Sequence, residues 1–144
     1  MVQVERTVRV ATPIGAVARY LADFAHTEDW DPGTISCTRT DPGPLVVGAR
    51  WHNVSEFRGR KTELDYRLTH REPGKVTFVG ENKTATSTDD FTLTSGPDGT
   101  TVRYRATIVF HGWAKLASPL LKREFERLGD EVVPKLRRVL DELG

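Results

Sequence analysis

Two charged residues fall where a strand pattern calls for apolar ones, and any chemistry in this chain starts with them. Val2, Val4, Val8 and Val10 share one parity, and Glu5, Thr7 and Arg9 the other, which places Arg6 on the apolar side of a half-buried strand. Asp89 falls on the inward face of a later hairpin in the same way. An isolated buried charge is very costly, so a pair between Arg6 and Asp89 is the expected resolution. Such a pair is either structural (an internal salt bridge, or a sheet edge reaching solvent) or a means of orienting a ligand carbonyl or carboxylate.

The other reactive side chains lack partners at useful spacing. His70 has inward parity at a strand end and carries the imidazole a general base would use, but no partner is visible from spacing. His52 and His111 have outward parity, and His26 lies in a loop. No close-spaced His or carboxylate group reads as a metal site, and no cofactor is implied. Cys37 has no activating motif, and Gly96-Pro97-Asp98-Gly99 is a hairpin turn rather than a phosphate loop. No catalytic residue is identifiable on these grounds.

Turns at Asp41-Pro42-Gly43-Pro44, Arg58-Gly59, Pro73-Gly74 and Gly96 to Gly99 cut residues 34 to 111 into successive strands of an antiparallel meander. A two-residue turn at Arg58-Gly59 places Phe57 opposite Arg60, His52 opposite Asp65, Val54 opposite Glu63 and Glu56 opposite Lys61. These pairs form a charged outer face. The Gly96–Gly99 hairpin pairs Asp90 with Arg105 outside, and inside pairs Leu93 with Val102, Phe91 with Tyr104, and Asp89 with Ala106. Parity then nominates Trp51, Asn53, Tyr66, Leu68, Phe78, Phe91, Tyr104, Ile108 and Phe110 as core or cavity positions. Together they suit a concave, mostly apolar site in which Tyr66, Tyr104 and Asn53 are the fixed polar groups.

Helices are expected at both ends. Thr12-Pro13 reads as a cap and a first-turn proline opening a helix over residues 13 to 24, and the segment from Ala25 to Gly33 reads as a turn or second small helix. Leu121, Phe125, Leu128, Val132, Leu136, Val139 and Leu143 recur at spacings of three and four and predict one long amphipathic helix opened by Ser118-Pro119. Phe125 joins the ligand-binding candidates from that stripe. Pro134 inside the helix predicts a kink beside Gly129, serving either packing or cavity shape. Lys122, Arg123, Arg127, Lys135, Arg137 and Arg138 alternate with acidic residues and read as a solvated face.

The bulk numbers exclude several classes. The 144 residues suit a single domain over 1–144, and 21 basic against 20 acidic residues imply no polyanion-binding surface, hence no nucleic acid. One cysteine excludes an intrachain disulfide and suits a reducing compartment. No apolar run is long enough to span a membrane, and no signal-peptide pattern opens the chain, so a soluble cytoplasmic protein is expected. Oligomeric state leaves no sequence signal.

The ordered set resembles the START-like superfamily, the SRPBCC or helix-grip group that includes the plant pollen-allergen fold and bacterial polyketide cyclase/dehydrase-like proteins. The resemblance covers essentially the whole chain. It rests on Thr12-Pro13-Ile14 with Val17, on Phe24 and Trp30, on Val47-Gly48 opening the third strand, on Asp98-Gly99-Thr100-Thr101-Val102, and on the terminal helix. It implies an α+β helix-grip fold: a curved seven-stranded antiparallel sheet around a long C-terminal helix, with two short helices after the first strand. It also places the first strand beside the last, which brings Arg6 towards Ala106 and Asp89. Members bind lipids, sterols, hormones or polyketides, and a minority catalyse cyclisation, aromatisation or dehydration. The function expected first is binding of a small hydrophobic molecule in a cavity between sheet and helix. Candidate contacts are Arg6, Trp51, Asn53, Tyr66, Phe78, Asp89, Phe91, Tyr104, Ile108 and Phe125. The alternatives are a polyketide cyclase-like enzyme acting in the same cavity and a regulatory module whose cavity is vestigial.

Overall fold

Alternation sets the first element. In the computed structural model, which describes residues 1–143 except the side chains of Ala117, Ser118 and Leu120, β1 (Val2–Val10) buries its four valines and exposes Glu5, Thr7 and Arg9. The first helix is shorter than the pattern suggests: α1 covers Ile14–Leu21 rather than 13 to 24. Asp23 ends it. Its Oδ1 accepts the Ala25 N–H at 3.0 Å and so turns the chain into a 3-10 turn at Phe24–His26, followed by the short α2 (Thr27–Trp30). Thr12 does not cap α1 either; Pro13 holds that position, and the Thr12 hydroxyl donates instead to the Leu140 carbonyl at 2.6 Å.

The remaining strands are β2 (Thr34–Arg39), β3 (Arg50–Phe57), β4 (Arg60–Glu72), β5 (Lys75–Glu81), β6 (Ala85–Gly96) and β7 (Gly99–Phe110). They form one antiparallel sheet in the order β1-β7-β6-β5-β4-β3-β2. Both hairpin registers read from side-chain parity hold, pair for pair. At the first, Arg58 and Gly59 both take positive φ (55° and 79°), as a tight two-residue turn matched to strand twist requires. Val47-Gly48 does not open β3. Gly48 (φ 103°) sits in the preceding turn, donating to the Leu68 carbonyl at 2.8 Å, and the strand begins at Arg50.

After a 3-10 turn at Gly112–Ala117, α3 (Ser118–Asp141) packs chiefly against β1. The capping role expected of Ser118 falls on a side chain outside the described residues. The helix is continuous through Pro134, which is exposed. Its apolar stripe is shifted at the end: Leu140 is fully buried, whereas Leu143 lies beyond the helix and is exposed. Three contacts fix this end to the strand-helix corner. Thr12 holds the Leu140 carbonyl, Asp141 accepts the Ala11 N–H at 3.0 Å, and the Thr100 hydroxyl donates to the Thr12 carbonyl at 2.7 Å. Around it lies the closed core, in which Val8, Val17, Leu68, Phe78, Phe91, Val102, Leu136 and Leu140 are at most 1% exposed.

Candidate functional site

Towards its N-terminal end α3 rests on β1 at Gly129 but leaves a gap over the rest of the sheet. Leu121, Phe125, Leu128 and Val132 face Val2 and Val4 of β1 and Ala106, Ile108 and Phe110 of β7 across a cavity of about 280 Å³. β4 contributes Leu64 and Tyr66, β6 contributes Ala85, Ser87 and Asp89, and the β3–β4 hairpin contributes Phe57. Two glycines shape this space by close approach. A Cβ at Gly129 would stand 2.6 Å from Val4 Cγ1, so the helix backbone lies directly on β1 there. One at Gly80 would stand 2.6 Å from the Tyr66 ring, which uses the missing side chain as its seat. At the rim, Phe57 and Phe125 stack with centroids 4.8 Å apart and rings 2° from parallel, joining hairpin to helix.

The polar groups gather at the inner end. The Tyr104 hydroxyl donates to Asp89 Oδ1; both residues are buried, as are Tyr66 and Ser87. Burial pushes the Asp89 carboxyl up to about 7; the Tyr104 hydrogen bond opposes this shift and the charge of Asp31 adds to it. Burial and the neighbouring Asp89 charge hold both tyrosine hydroxyls well above their ordinary range, so both stay protonated donors. Asp31, half-buried on the wall, accepts the Thr34 hydroxyl at 2.7 Å and the Gly33 N–H at 3.2 Å, and burial raises it as well. Behind it Asn53 is buried, taking the Ser55 hydroxyl at 2.6 Å and reaching Thr34 Oγ1 at 3.5 Å. This links Ser55 to Asp31 through Asn53 and Thr34.

Of the sequence-nominated residues, the structure brings Tyr66, Asp89, Tyr104, Ile108 and Phe125 to the cavity wall, with Phe110. Trp51, Phe78 and Phe91 lie in the closed core behind it. They still act on the site through its rings: Phe91 stacks on Tyr104 at 5.0 Å, and Phe24 lies 4.4 Å from both Tyr66 and Phe78. Trp51 Nε1 donates to Asp23 Oδ1 at 3.0 Å. Asn53 is one residue removed from the wall.

The expected Arg6–Asp89 pair does not form. In the β1–β7 register Arg6 lies opposite Tyr104, and it is Val4 that faces Ala106. The guanidinium turns instead to α3, donating to Asp130 Oδ1 at 2.9 Å and, through Nη2, to Glu126 Oε2 at 2.9 Å and the Glu126 carbonyl at 3.0 Å. Its third nitrogen serves the Glu5 carbonyl at 2.8 Å. The helix resting on β1 at Gly129 brings these carboxylates within reach, which strand parity cannot foresee.

Sequence reasoning missed Asp31, hidden in what read as a turn; the Asp31-Pro32-Gly33-Thr34 run, in which the aspartate bonds to groups two and three residues on, was the available signal. His70 lies past a bulge between Leu68 and His70, faces Glu72 at 3.1 Å and does not line the cavity. Burial pushes the Cys37 thiol up to about 11. Among the described residues no group of His, Cys, Asp or Glu is arranged to hold a metal, and no helix is long and apolar enough to cross a membrane.

Comparison with known proteins agrees with the fold. A START superfamily protein from Mycobacterium smegmatis superposes with a TM-score of 0.78 at 15% identity, covering 99% of each chain. A protein from Thermus thermophilus superposes with a TM-score of 0.72 at 17% identity, over 99% of this chain and 94% of that one. The di-domain ARO/CYC protein StfQ from the steffimycin biosynthetic pathway matches at a TM-score of 0.72 and 14% identity, over 98% of this chain and 51% of StfQ. No curated protein matches in sequence. Residues 1–141 match the family described as polyketide cyclase / dehydrase and lipid transport, and the chain belongs to that family.

Proposed function

We propose that this chain works as a single domain that binds a small, largely apolar molecule between α3 and the sheet, holding it without chemical change. The observation that carries this reading is the cavity itself. About 280 Å³ stands open beneath Leu121, Phe125 and Leu128, while Leu136 and Leu140 further along the stripe are fully buried. Native interiors are close-packed, and an apolar void of this size forfeits dispersion contacts unless something fills it. The family description, which includes lipid transport, points the same way. Ala106 offers the test, because it lies on the wall opposite Asp89 and a larger side chain there projects into the void. Wild-type protein purified gently for native mass spectrometry is expected to carry a small apolar adduct and to enhance a hydrophobic fluorophore. Ala106→Phe, folded by circular dichroism, is expected to lose both. Equal binding by the two proteins would overturn the reading.

One observation favours a second reading, an enzyme of the cyclase kind. Asp89 holds its proton to about pH 7 beside the Tyr104 hydroxyl, which suits a base that takes a proton from a carbon between two carbonyls while a tyrosine donates to the resulting enolate oxygen. Ring closure by that enolate on a distal carbonyl would return the proton from Asp89 to the new alkoxide. Turnover of a poly-β-keto probe that is lost in Asp89→Asn would favour this reading over simple binding.

A further inference from the structure

The charge distribution around the cavity is one-sided. Asp31 and Asp89 lie on its inner wall and Glu56 at its exposed rim, and among the described lining residues there is no Lys, Arg or His. This contrasts with the chain as a whole, where basic residues outnumber acidic ones by 21 to 20. Arg6, the cation that the sequence directs inward, has its three nitrogens committed to Glu5, Glu126 and Asp130. Lys135 acts on Asp31 electrostatically but does not line the space.

The tyrosines do not replace the missing cation. Tyr104 already donates to Asp89, Tyr66 is hydrogen-bonded to Ser87 and Asp89, and Thr34 and Gly33 donate to Asp31. The inner wall is therefore a surface of carboxylate oxygens steadied by neutral donors. An anionic ligand head placed there meets like charge in a poorly solvated space, whereas a cation meets two carboxylates already held in position.

Resting on the binding reading above, we propose that the cavity selects an apolar molecule bearing a protonated nitrogen, with the ammonium seated between Asp31 and Asp89 and the hydrocarbon under α3. A fatty-acid-like carboxylate is then the excluded class, and a neutral alcohol is intermediate. The carboxylates determine the head, while Phe125, Leu128, Val4 and Ile108 determine that the remainder be apolar.

Three probes of equal chain length separate the two readings: octylamine, octanol and octanoate, titrated calorimetrically near pH 8 and below micelle-forming concentrations. The expected order is amine, alcohol, acid, with amine over acid by roughly tenfold or more. In Asp89→Asn, and independently in Asp31→Asn, the preference for amine over alcohol is expected to disappear, with circular dichroism reporting an intact fold. Octanol binding with octanoate equal to or tighter than octylamine would overturn the charge selection and leave the binding reading standing. Failure of all three probes would overturn both.

Discussion

The two halves of α3 share one apolar stripe and have opposite fates. Leu136 and Leu140 enter a closed core at 0% exposure, whereas Leu121, Phe125 and Leu128 are half-buried over empty space, with Val132 at the boundary between them. Sequence periodicity does not distinguish them. What differs is the opposing surface. Beneath the C-terminal half lie α2, the Thr12 corner and large core aromatics; beneath the N-terminal half the wall mixes Ile108, Phe110 and Leu64 with the small Ala85, Ser87 and Ala106, which leave space under the helix. A cavity arises where a stripe of large residues faces a wall interrupted by small ones.

The largest test of that contrast is a pair of truncations. Leu136→Ala is expected to cost about 3–4 kcal/mol, because the packed core cannot collapse onto the void. Leu128→Ala, which enlarges a space that already exists, is expected to cost less than about 1.5 kcal/mol in chemical denaturation. Equal costs would remove the distinction between the halves.

The acidic inner end gives the second. A carboxyl whose folded pKa lies above its unfolded value binds more protons folded than unfolded in the interval between the two, so stability falls as pH rises through that interval. For Asp89 the interval runs from its ordinary value of 3.8 to about 7. Asp89→Asn removes the cost while leaving an oxygen for Tyr104. The variant is expected to exceed wild type by on the order of 2–4 kcal/mol at pH 8 and to show little difference near pH 4. A pH-independent difference would mean that Asp89 does not titrate in that window.

The smallest concerns the rim. Phe125→Ala removes the stack on Phe57 and is expected to cost only about 1–2 kcal/mol, since the ring is half-exposed, while speeding probe release in stopped-flow displacement. Unchanged release would assign the rim pair to packing alone.

The fold was legible because its information is local. Turn residues and alternating parity set both hairpin registers, and period-three-and-four spacing set the long helix; each needs only neighbours in sequence. The site was legible in part. Tyr66, Asp89, Tyr104, Ile108 and Phe125 were reachable by parity, which separates inside from outside but cannot separate a cavity wall from the core behind it. Trp51, Phe78 and Phe91 share that parity and lie in the core. Arg6 was correctly placed inward but its partners, Glu126 and Asp130, arrive from 120 or more residues away on a helix whose approach depends on Gly129. Asp31 was overlooked because a turn aspartate ordinarily faces solvent.

The alternation of the sheet carries a further consequence for how such a protein can change over generations. Residues that fix register, such as His52 opposite Asp65 and Asp90 opposite Arg105, occupy one set of positions. Residues that touch the void, such as Leu64, Ser87 and Ala106, occupy the interleaved set. A substitution in the second set leaves the pairing instructions in the first intact, because a side chain changes identity without changing face. Two inheritable messages thus run alternately along one strand, and the one specifying the guest can drift while the one specifying the architecture stays fixed.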